Sequence, residues 1–283
     1  MAYFDANASE PLRPEAREAV LRALDWTGNP ASVHRHGRNA RRTLETARET
    51  LAARFGAAVA GVVFTSGGTE ANALAIHGLR GGRRVIASAV EHDAVRAAAP
   101  DAITLPVRRD GRADLDRLPE LLGEAGPALV CLMLANNETG VLQPVAEAAA
   151  LCRAHGALLH VDAVQAVGRV DVDLRALGAH ALAVSSHKIG GPTGAGALLL
   201  APDAPPIAAH LPGGGQESGR RGGTPALAMV AGFAAACREA VAPTGTAALR
   251  DGIDRAAVAT GAQICGGDAL RLPNTTCLAL PGV

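Results

Sequence analysis

The sequence has 283 residues, with 27 Lys and Arg against 27 Asp and Glu, and 48% of its residues are hydrophobic. This length suffices for one large domain or two ordinary ones, and the balanced charge without long basic runs argues against a nucleic-acid-binding protein. The most apolar window, residues 226–237, is shorter than the about 18 residues that a membrane-spanning helix needs, so no membrane association is expected.

Short apolar runs alternate with helix-like stretches along most of the chain. Helices are predicted over residues 14–24, 38–55, 114–122, 144–155 and 225–241, and further helices start at residues 69 and 91. Strands are predicted over residues 62–65, 84–88, 103–107, 128–134, 158–161, 182–185 and 197–200, the last of them antiparallel. This alternation predicts an α/β fold with a mostly parallel sheet that helices cover on both faces.

The predicted domain organisation has a large domain over residues 14–243, preceded by an extended segment over residues 1–13. The turn-forming residues Pro243, Thr244 and Gly245 mark the predicted boundary. Residues 244–283 are expected to start a small α+β domain, against which residues 1–13 pack. A strand predicted over residues 276–280 stands at the end of the sequence, so this second domain is expected to be incomplete.

The five cysteines form no Cys-x-x-Cys pair and show no metal-like spacing. An odd number of such cysteines is typical of reduced thiols in a cytosol. The N-terminus has no basic segment followed by an apolar core and therefore does not resemble a signal peptide. We expect a cytoplasmic protein without a metal site.

Lys188 is the only lysine of the sequence, because every other residue in the Lys and Arg count is an arginine. It follows the apolar run 181–184 and precedes a Gly-Gly-Pro turn. One interpretation is a compositional bias that spared a single lysine by chance. The other is a reactive amine, because a desolvated lysine can lose its proton and attack a carbonyl carbon, whereas arginine cannot. Its place after a predicted strand, where α/β proteins bind ligands, favours the second interpretation.

A glycine turn at residues 64–70 joins a predicted strand to a predicted helix. Backbone N–H groups and the helix dipole at such a turn favour an anion such as phosphate, and Gly67 and Gly68 allow its close approach. The turn matches neither the dinucleotide-binding nor the P-loop pattern. An ordinary strand–helix connection is the alternative.

Three further polar groups follow predicted strands. Asp162 is either a turn former or a carboxylate that keeps a ring nitrogen of a bound heterocycle protonated, and Gln165 could reach the same ring. His92 is either a structural histidine or an imidazole that stacks on a planar ligand or moves protons. Residues 136–140 are either a plain turn or another part of the same site. One amine, one phosphate turn, one acid and one histidine together predict a site for pyridoxal 5′-phosphate (PLP).

These motifs resemble the cysteine desulfurase family, which belongs to the class V aminotransferase-like, fold-type I PLP enzymes. The resemblance covers essentially the whole chain, with the motifs in the family's order. It rests on Phe4–Ala8, Gly28–Ser32, Phe64–Glu70, Val90–His92, Asn136–Gly140, His160–Gln165, Ser185–Lys188, Gly213–Glu217, Arg221–Thr224 and Pro273–Thr275.

The resemblance implies a role for each residue around the cofactor ring. Lys188 would carry PLP through a Schiff base, Asp162 would pair with the pyridine nitrogen, and His92 would stack on the ring and assist proton transfer. Gln165 and Asn137 would contact the side of the ring that bears the 3′ oxygen. Lys188 and His92 are therefore the predicted catalytic residues.

The resemblance also implies a phosphate site and a homodimer. Gly68, Thr69, Ser185 and His187 would hold the phosphate, and Thr224 would reach the phosphate of the neighbouring subunit. The implied reaction converts L-cysteine to L-alanine and leaves a persulfide on an enzyme cysteine. That sulfur would feed iron–sulfur clusters or tRNA thiolation, with a scaffold protein as a possible acceptor.

The sequence departs from the family pattern after Pro273–Thr275. In the family a Ser- and Gly-rich loop with a Ser-Ala-Cys core carries the nucleophilic cysteine there, and the arginine for the substrate carboxylate follows; neither is found before Val283. The five cysteines of this chain lie in apolar strand or helix patterns, where a buried thiol is normally inert. We therefore expect the chain to bind PLP but not to convert L-cysteine to a persulfide.

Two other functions stay open at this point. One is another class V reaction, such as that of a selenocysteine lyase or a small-amino-acid aminotransferase. The other is a non-catalytic interaction protein that keeps the fold and the dimer surface in order to bind a sulfur-acceptor scaffold.

Overall fold

The computed structural model describes residues 2–123, 126–241 and 244–282. Its helices are α1 (Pro14–Leu24), α2 (Arg35–Arg54), α3 (Gly68–Arg80), α4 (Asp93–Ala98), α5 (Leu118–Gly123), α6 (Val145–Ala154), α7 (Leu174–Leu177), α8 (Leu227–Glu239) and α9 (Thr246–Ala259). Its strands are β1 (Val62–Thr65), β2 (Arg84–Ser88), β3 (Ile103–Leu105), β4 (Ala128–Cys131), β5 (Leu158–Asp162), β6 (Ala181–Ser185), β7 (Gly196–Leu200), β8 (Gln263–Ile264) and β9 (Leu278–Ala279). None of the helices described is long and apolar enough to cross a membrane.

Seven strands form one sheet in the order β1-β7-β6-β5-β4-β2-β3, and β8 and β9 form a separate hairpin. The prediction that the strand after Lys188 is antiparallel is confirmed, because β7 runs against both β6 and β1. The remaining neighbours in the sheet are parallel. Six of its strands, all except β7, therefore point the same way, and their carboxyl ends meet at one edge, where open α/β sheets bind ligands.

Two apolar cores lie on opposite faces of the sheet, which confirms the predicted α/β architecture. On one face, Leu74 and Leu79 of α3 and Val95 of α4 are buried against the strands. On the other, Leu51 of α2 and Phe233 of α8 belong to a larger core that includes α6. Strands that are buried on both faces consist of continuous apolar residues, and these runs could therefore be predicted from the sequence.

Several predicted boundaries differ from those observed because side chains cap the helices. His34 accepts a hydrogen bond from the Gly37 N–H, and α2 accordingly begins at Arg35 rather than residue 38. The predicted helix start at residue 91 is wrong, because the His92 ring accepts from the Ala94 N–H at 3.0 Å and caps a helix that begins two residues later. The strand predicted over 128–134 ends at residue 131, and the helix predicted from 114 begins at 118.

The segment after β1 lies directly against β7. A Cβ atom on Gly196 would come within 2.6 Å of the backbone carbon of Gly67. Any larger residue at position 196 would therefore push the turn away from the sheet edge. This contact fixes the start of α3 beside the end of β6.

The predicted domain boundary begins at Pro243, which lies outside the described residues. Beyond it, α9 was not predicted from the sequence, and its apolar side chains are largely exposed; Leu249 has 73% of its surface accessible. The N-terminal segment contacts residues on both sides of this boundary: the Asn7 side chain bonds the Thr275 hydroxyl at 3.0 Å, and the Arg13 N–H bonds the Gly190 carbonyl at 2.8 Å.

Candidate active site

A cavity of about 260 Å³ lies at the edge of the sheet where β5 and β6 end and α3 begins. The site residues predicted from the sequence, Thr224 excepted, all line it: Gly68, Thr69, His92, Asn137, Asp162, Gln165, Ser185, His187 and Lys188. Its walls also include Asn72, Met133 and Val164. One cavity thus brings together groups that are dispersed over more than a hundred residues of sequence.

One end of the cavity is built to receive an anion. It is formed by the N-terminus of α3, whose first N–H groups lack partners within the helix and carry the positive end of its dipole. A Cβ atom on Gly68 would stand 2.7 Å from Val164 Cγ2, so this residue keeps the approach to the helix open. The Ser185 hydroxyl is buried here without a hydrogen-bond partner, as expected for a group that binds a ligand.

Lys188 lies in a short turn after β6, with its side chain about half-buried. Its ammonium nitrogen donates a short hydrogen bond to the backbone carbonyl of Asn7. Burial and the nearby Arg169 guanidinium lower the pKa of Lys188 below its ordinary value. Arg169 also donates to the Lys188 carbonyl at 2.9 Å, which fixes the turn. A lowered pKa increases the fraction of neutral amine, which is the nucleophilic form.

The N-terminal segment forms the floor beneath Lys188. The Asn7 carbonyl accepts hydrogen bonds from Lys188 and, at 2.9 Å, from Gln165 Nε2. The Asn7 side chain donates to the Asn137 carbonyl at 3.1 Å and accepts from Asn274 Nδ2 at 3.1 Å. Asn7 therefore ties the lysine to the turn after β4 and to the chain that precedes β9.

Asp162 stands at the end of β5 and is held by a buried chain of polar side chains. Its Oδ1 accepts from the Val164 N–H at 2.9 Å, and its Oδ2 accepts from Asn72 Nδ2 at 2.7 Å. The Asn72 carbonyl oxygen in turn lies 2.8 Å from Nε2 of His160, which is completely buried. Burial lowers the pKa of His160 to about 4, so its ring is neutral and Nε2–H donates to Asn72. This bond fixes which end of the Asn72 amide faces the carboxylate.

Burial raises the pKa of Asp162 above its ordinary value, while its two hydrogen bonds and the charges of His92 and Lys188 act in the opposite direction. Burial alone disfavours the carboxylate, so its charged form depends on these partners. A cationic group in the cavity would stabilise that form further. Asp162 is therefore suited to hold a protonated nitrogen.

Glu91 is a second buried carboxyl group near the cavity. Its Oε1 accepts from the Met133 N–H at 2.7 Å, and its Oε2 has no partner. Burial, reinforced by the charge of Asp162, raises the pKa of Glu91 to about 8. Glu91 is accordingly protonated at neutral pH and adds no negative charge beside Asp162.

The edges of the cavity carry His92, Gln165 and Asn137. Because Nδ1 of His92 accepts from the Ala94 N–H, the proton of its neutral ring lies on Nε2. Gln165 Oε1 is buried without a partner. A second cavity of about 440 Å³ shares His92, Asn137, Gln165 and Lys188 with the first and opens past Asp5. A substrate could reach Lys188 through this outer cavity.

The arginine-rich loop around residues 213–224 is held by two ion pairs. Arg221 contacts Glu70 at 2.7 Å, beside the anion end. Arg48 makes two hydrogen bonds, of 2.7 and 2.9 Å, to the buried Glu217 carboxylate, which also accepts from the Phe64 N–H. The Glu217 backbone adopts φ = 49°, a strained conformation that this buried pair stabilises.

Thr224 is exposed at the end of this loop and lines neither cavity. Its assignment to the phosphate of a neighbouring subunit stays a prediction.

The cysteines do not line either cavity. Cys131, Cys152 and Cys237 are buried, but Cys265 and Cys277 are only half-buried at the β8–β9 hairpin, so the expectation of inert, buried surroundings is wrong for these two. Burial raises the pKa of Cys152 and Cys237 to about 12. Within the described residues, no group of three or more metal-ligating side chains could hold a metal ion.

The cavity fits PLP group by group. The α3 N-terminus and the unpartnered Ser185 hydroxyl suit a phosphate, Asp162 suits a protonated ring nitrogen, and Lys188 supplies an amine for an aldehyde. The unpartnered Gln165 oxygen leaves a further polar contact at the ring edge. The donors and acceptors thus match the polar groups of this cofactor at separate positions.

Comparison with known proteins agrees with this chemistry. The sequence profile of the family described as class V aminotransferases matches residues 2–271. An IscS-like cysteine desulfurase of Mycobacterium tuberculosis is 40% identical over 85% of this chain and 65% of its own length. A cysteine desulfurase of Cereibacter sphaeroides is 39% identical over 98% of this chain and 76% of its own length.

Among solved structures, a NifS-like protein from Rickettsia africae superimposes with a TM-score of 0.95 at 32% identity, covering 100% of this chain and 82% of that protein. The chain therefore belongs to the cysteine desulfurase family of the class V aminotransferases, whose members are PLP enzymes. It spans about two thirds to four fifths of the length of these relatives.

Sequence reasoning did not identify several residues of the site. Asn72 stands one helical turn after Gly68, on a face of α3 that the sequence alone does not assign to the cavity. His160 acts through the Asn72 side chain, and Arg169 acts on Lys188 through its backbone carbonyl and by its charge. Asn7 belonged to a recognised motif, but its contact with Lys188 depends on an extended segment whose position no periodicity predicts.

Proposed function

We propose that the protein is a PLP-dependent cysteine desulfurase, which takes sulfur from L-cysteine and releases L-alanine. One observation carries this proposal: the only lysine of the sequence, with a lowered pKa, shares a cavity with the buried Asp162 carboxylate and an anion-binding helix terminus. The names of the relatives support L-cysteine as the substrate.

When bound, PLP supplies an electron sink that weakens the bonds to the substrate Cα. The residues of this chain bind it and manage protons. Lys188 Nζ offers an amine for the cofactor aldehyde and, positioned over the cavity, can take or return a proton at the substrate Cα. Asp162 would keep a ring nitrogen of the cofactor protonated, and His92, whose ring lines the same cavity, would donate its Nε2 proton to the leaving sulfur.

The outer cavity contains no cysteine and no arginine among its described lining residues. We propose that the sulfur acceptor is a thiol from outside this lining. We propose that the chain by itself binds PLP without passing sulfur to one of its own cysteines. We further propose a cytoplasmic homodimer that delivers sulfur to iron–sulfur cluster assembly or tRNA thiolation; the odd number of cysteines without a Cys-x-x-Cys pair favours the cytoplasm as its location.

Cofactor binding is tested by reconstituting the purified chain with PLP. We expect a visible absorbance band, and a pyridoxyl group on Lys188 by mass spectrometry after borohydride reduction. Lys188→Ala should bind PLP with only the absorbance of the free aldehyde and without a pyridoxyl group on the protein, whereas Gln143→Ala, whose side chain bonds Ala113 and Gly111 away from the cavity, should keep the Schiff-base band and the adduct. A wild-type chain that carries no reducible pyridoxyl group would refute the assignment.

The reaction is tested by mixing the loaded protein with L-cysteine, with and without a small thiol. Alanine formation that requires the added thiol would support an external acceptor. Persulfide on Cys131, Cys152, Cys237, Cys265 or Cys277 would contradict it, and a keto acid in place of alanine would refute desulfurase chemistry.

A further inference from the structure

The β8–β9 hairpin places two cysteines face to face. Ile264 pairs with Leu278, so Cys265 and Cys277 are the next facing residues along the two strands. The Cys265 N–H donates to the Cys277 carbonyl at 2.9 Å, which marks a hydrogen-bonded position of the ladder. Facing Cα atoms at such positions are about 5.5 Å apart, within the range of about 4.4–6.8 Å that disulfides span.

The two cysteines face each other across the hairpin and lie within reach of solvent. Burial and a side-chain hydrogen bond with Cys265 raise the pKa of Cys277 above its ordinary value. Both residues are half-buried, whereas Cys131, Cys152 and Cys237 are buried. A small reagent in solution can therefore reach this pair in preference to the other three cysteines.

We propose that Cys265 and Cys277 form a reversible disulfide by exchange with a low-molecular-weight disulfide. Because the raised pKa of Cys277 disfavours its thiolate, Cys265 is the thiol that loses its proton to solvent and attacks one sulfur of the small molecule. The S–S bond of that molecule breaks, and the released thiolate takes up a proton. Cys277 then loses its proton to solvent and attacks the Cys265 sulfur, displacing the second small thiol. Two protein thiols are oxidised and one small disulfide is reduced to two thiols.

The disulfide closes a ring around residues 266–276, of which Asn274, Thr275 and Thr276 line the outer cavity. Within this segment the Leu272 N–H donates to the Gly140 carbonyl at 2.8 Å, and Thr275 bonds the side chain of Asn7. The covalent bond should therefore slow backbone hydrogen exchange across residues 266–276. This inference depends on the hairpin geometry and not on the proposed function.

The test uses the reduced 283-residue chain and oxidised glutathione. After incubation, free thiols are alkylated in denaturant and the protein is digested with trypsin. Cleavage after Arg255 and Arg271 separates Cys265 on peptide 256–271 from Cys277 on peptide 272–283. The expected product is these two peptides joined by one disulfide within a single chain, lost on adding dithiothreitol, with the other three cysteines alkylated.

Variants establish which thiol acts first. The reaction of Cys277→Ser should stop at a glutathione adduct on Cys265. The matched control Cys237→Ser should form the Cys265–Cys277 disulfide at the wild-type yield. Circular dichroism verifies that each variant is folded. Wild-type protein that yields only glutathione adducts, only disulfides between two chains, or no disulfide would overturn the proposal. Unchanged hydrogen exchange across residues 266–276 after oxidation would refute the claim that the disulfide restrains this segment of the outer cavity.

Discussion

Replacing Asn72 by alanine removes one of the two hydrogen bonds that the buried Asp162 carboxylate receives. Asn72 Nδ2 lies 2.7 Å from Asp162 Oδ2, and the Val164 N–H is the remaining donor. Because burial already raises the pKa of Asp162, the substitution should raise it further. The cost of ionising Asp162 then opposes the binding of any cofactor that needs its negative charge.

The size of this effect follows from the charge on the acceptor. A hydrogen bond to a charged group contributes about 1.5–3 kcal/mol. If that cost falls entirely on PLP binding, the Kd should rise about 10- to 150-fold, at 1.4 kcal/mol per factor of ten. The deficit should shrink as the pH rises, because a higher pH restores the Asp162 carboxylate. Lys188 titrates in the wild-type and the Asn72→Ala protein alike. The ratio of their two Kd values therefore reports only the effect of Asp162 on PLP binding.

Equilibrium titration of the apo-protein with PLP, monitored by absorbance between pH 6 and pH 9, measures this ratio. Gln143→Ala is the matched control, because Gln143 is also a buried amide but bonds Ala113 and Gly111, away from the cavity. The control should lose stability and keep its PLP affinity. An Asn72→Ala protein with a wild-type Kd at every pH, or a deficit that grows as the pH rises, would refute the proposed role of the chain from His160 to Asp162.

Two other predictions concern stability. Burial raises the pKa of Glu91 to about 8, so the folded protein retains a proton that the unfolded chain loses near pH 4.5. The contribution of Glu91 to the free energy of unfolding should therefore fall by about 1.4 kcal/mol per pH unit as the pH rises from about 5 to 8. Urea unfolding of Glu91→Gln should lack this decline, and an identical slope in both proteins would contradict the burial argument. Arg48→Met should cost about 3–5 kcal/mol by leaving Glu217 charged and unpaired. The double variant Arg48→Met, Glu217→Met should recover part of that loss, and no recovery would show that packing rather than charge is responsible.

Much of the sheet could be predicted because its strands are buried on both faces. Continuous apolar runs marked β1 and β2 to the residue, and glycine or polar residues marked their ends. Polar residues at strand ends also indicated the site, since parallel strands bring their carboxyl ends together. Asp162 and Lys188 were therefore predictable as neighbours in the cavity, even though they belong to separate motifs.

What the sequence did not reveal depends on contacts between distant segments. The pairing of Asn72 with Asp162 requires α3 to lie across β5, and no local pattern encodes that packing. Glu217 adopts a positive φ because Arg48, far away along the chain, neutralises its carboxylate. The facing of Cys265 and Cys277 likewise depends on the register of two short strands, in which Gln263 pairs with Ala279.

The antiparallel pairing of β1 with β7 joins two strands that are synthesised far apart in time. In the described sheet β1 is an edge strand whose neighbour is β7, and Val62 pairs with Leu199. Roughly 140 residues must be translated after β1 before this partner exists, which takes roughly 7–30 s at about 5–20 residues per second. During that interval an apolar strand remains unpaired and able to associate with other nascent chains. The rate of translation between these two strands therefore sets how long the protein is exposed to aggregation before its sheet is complete.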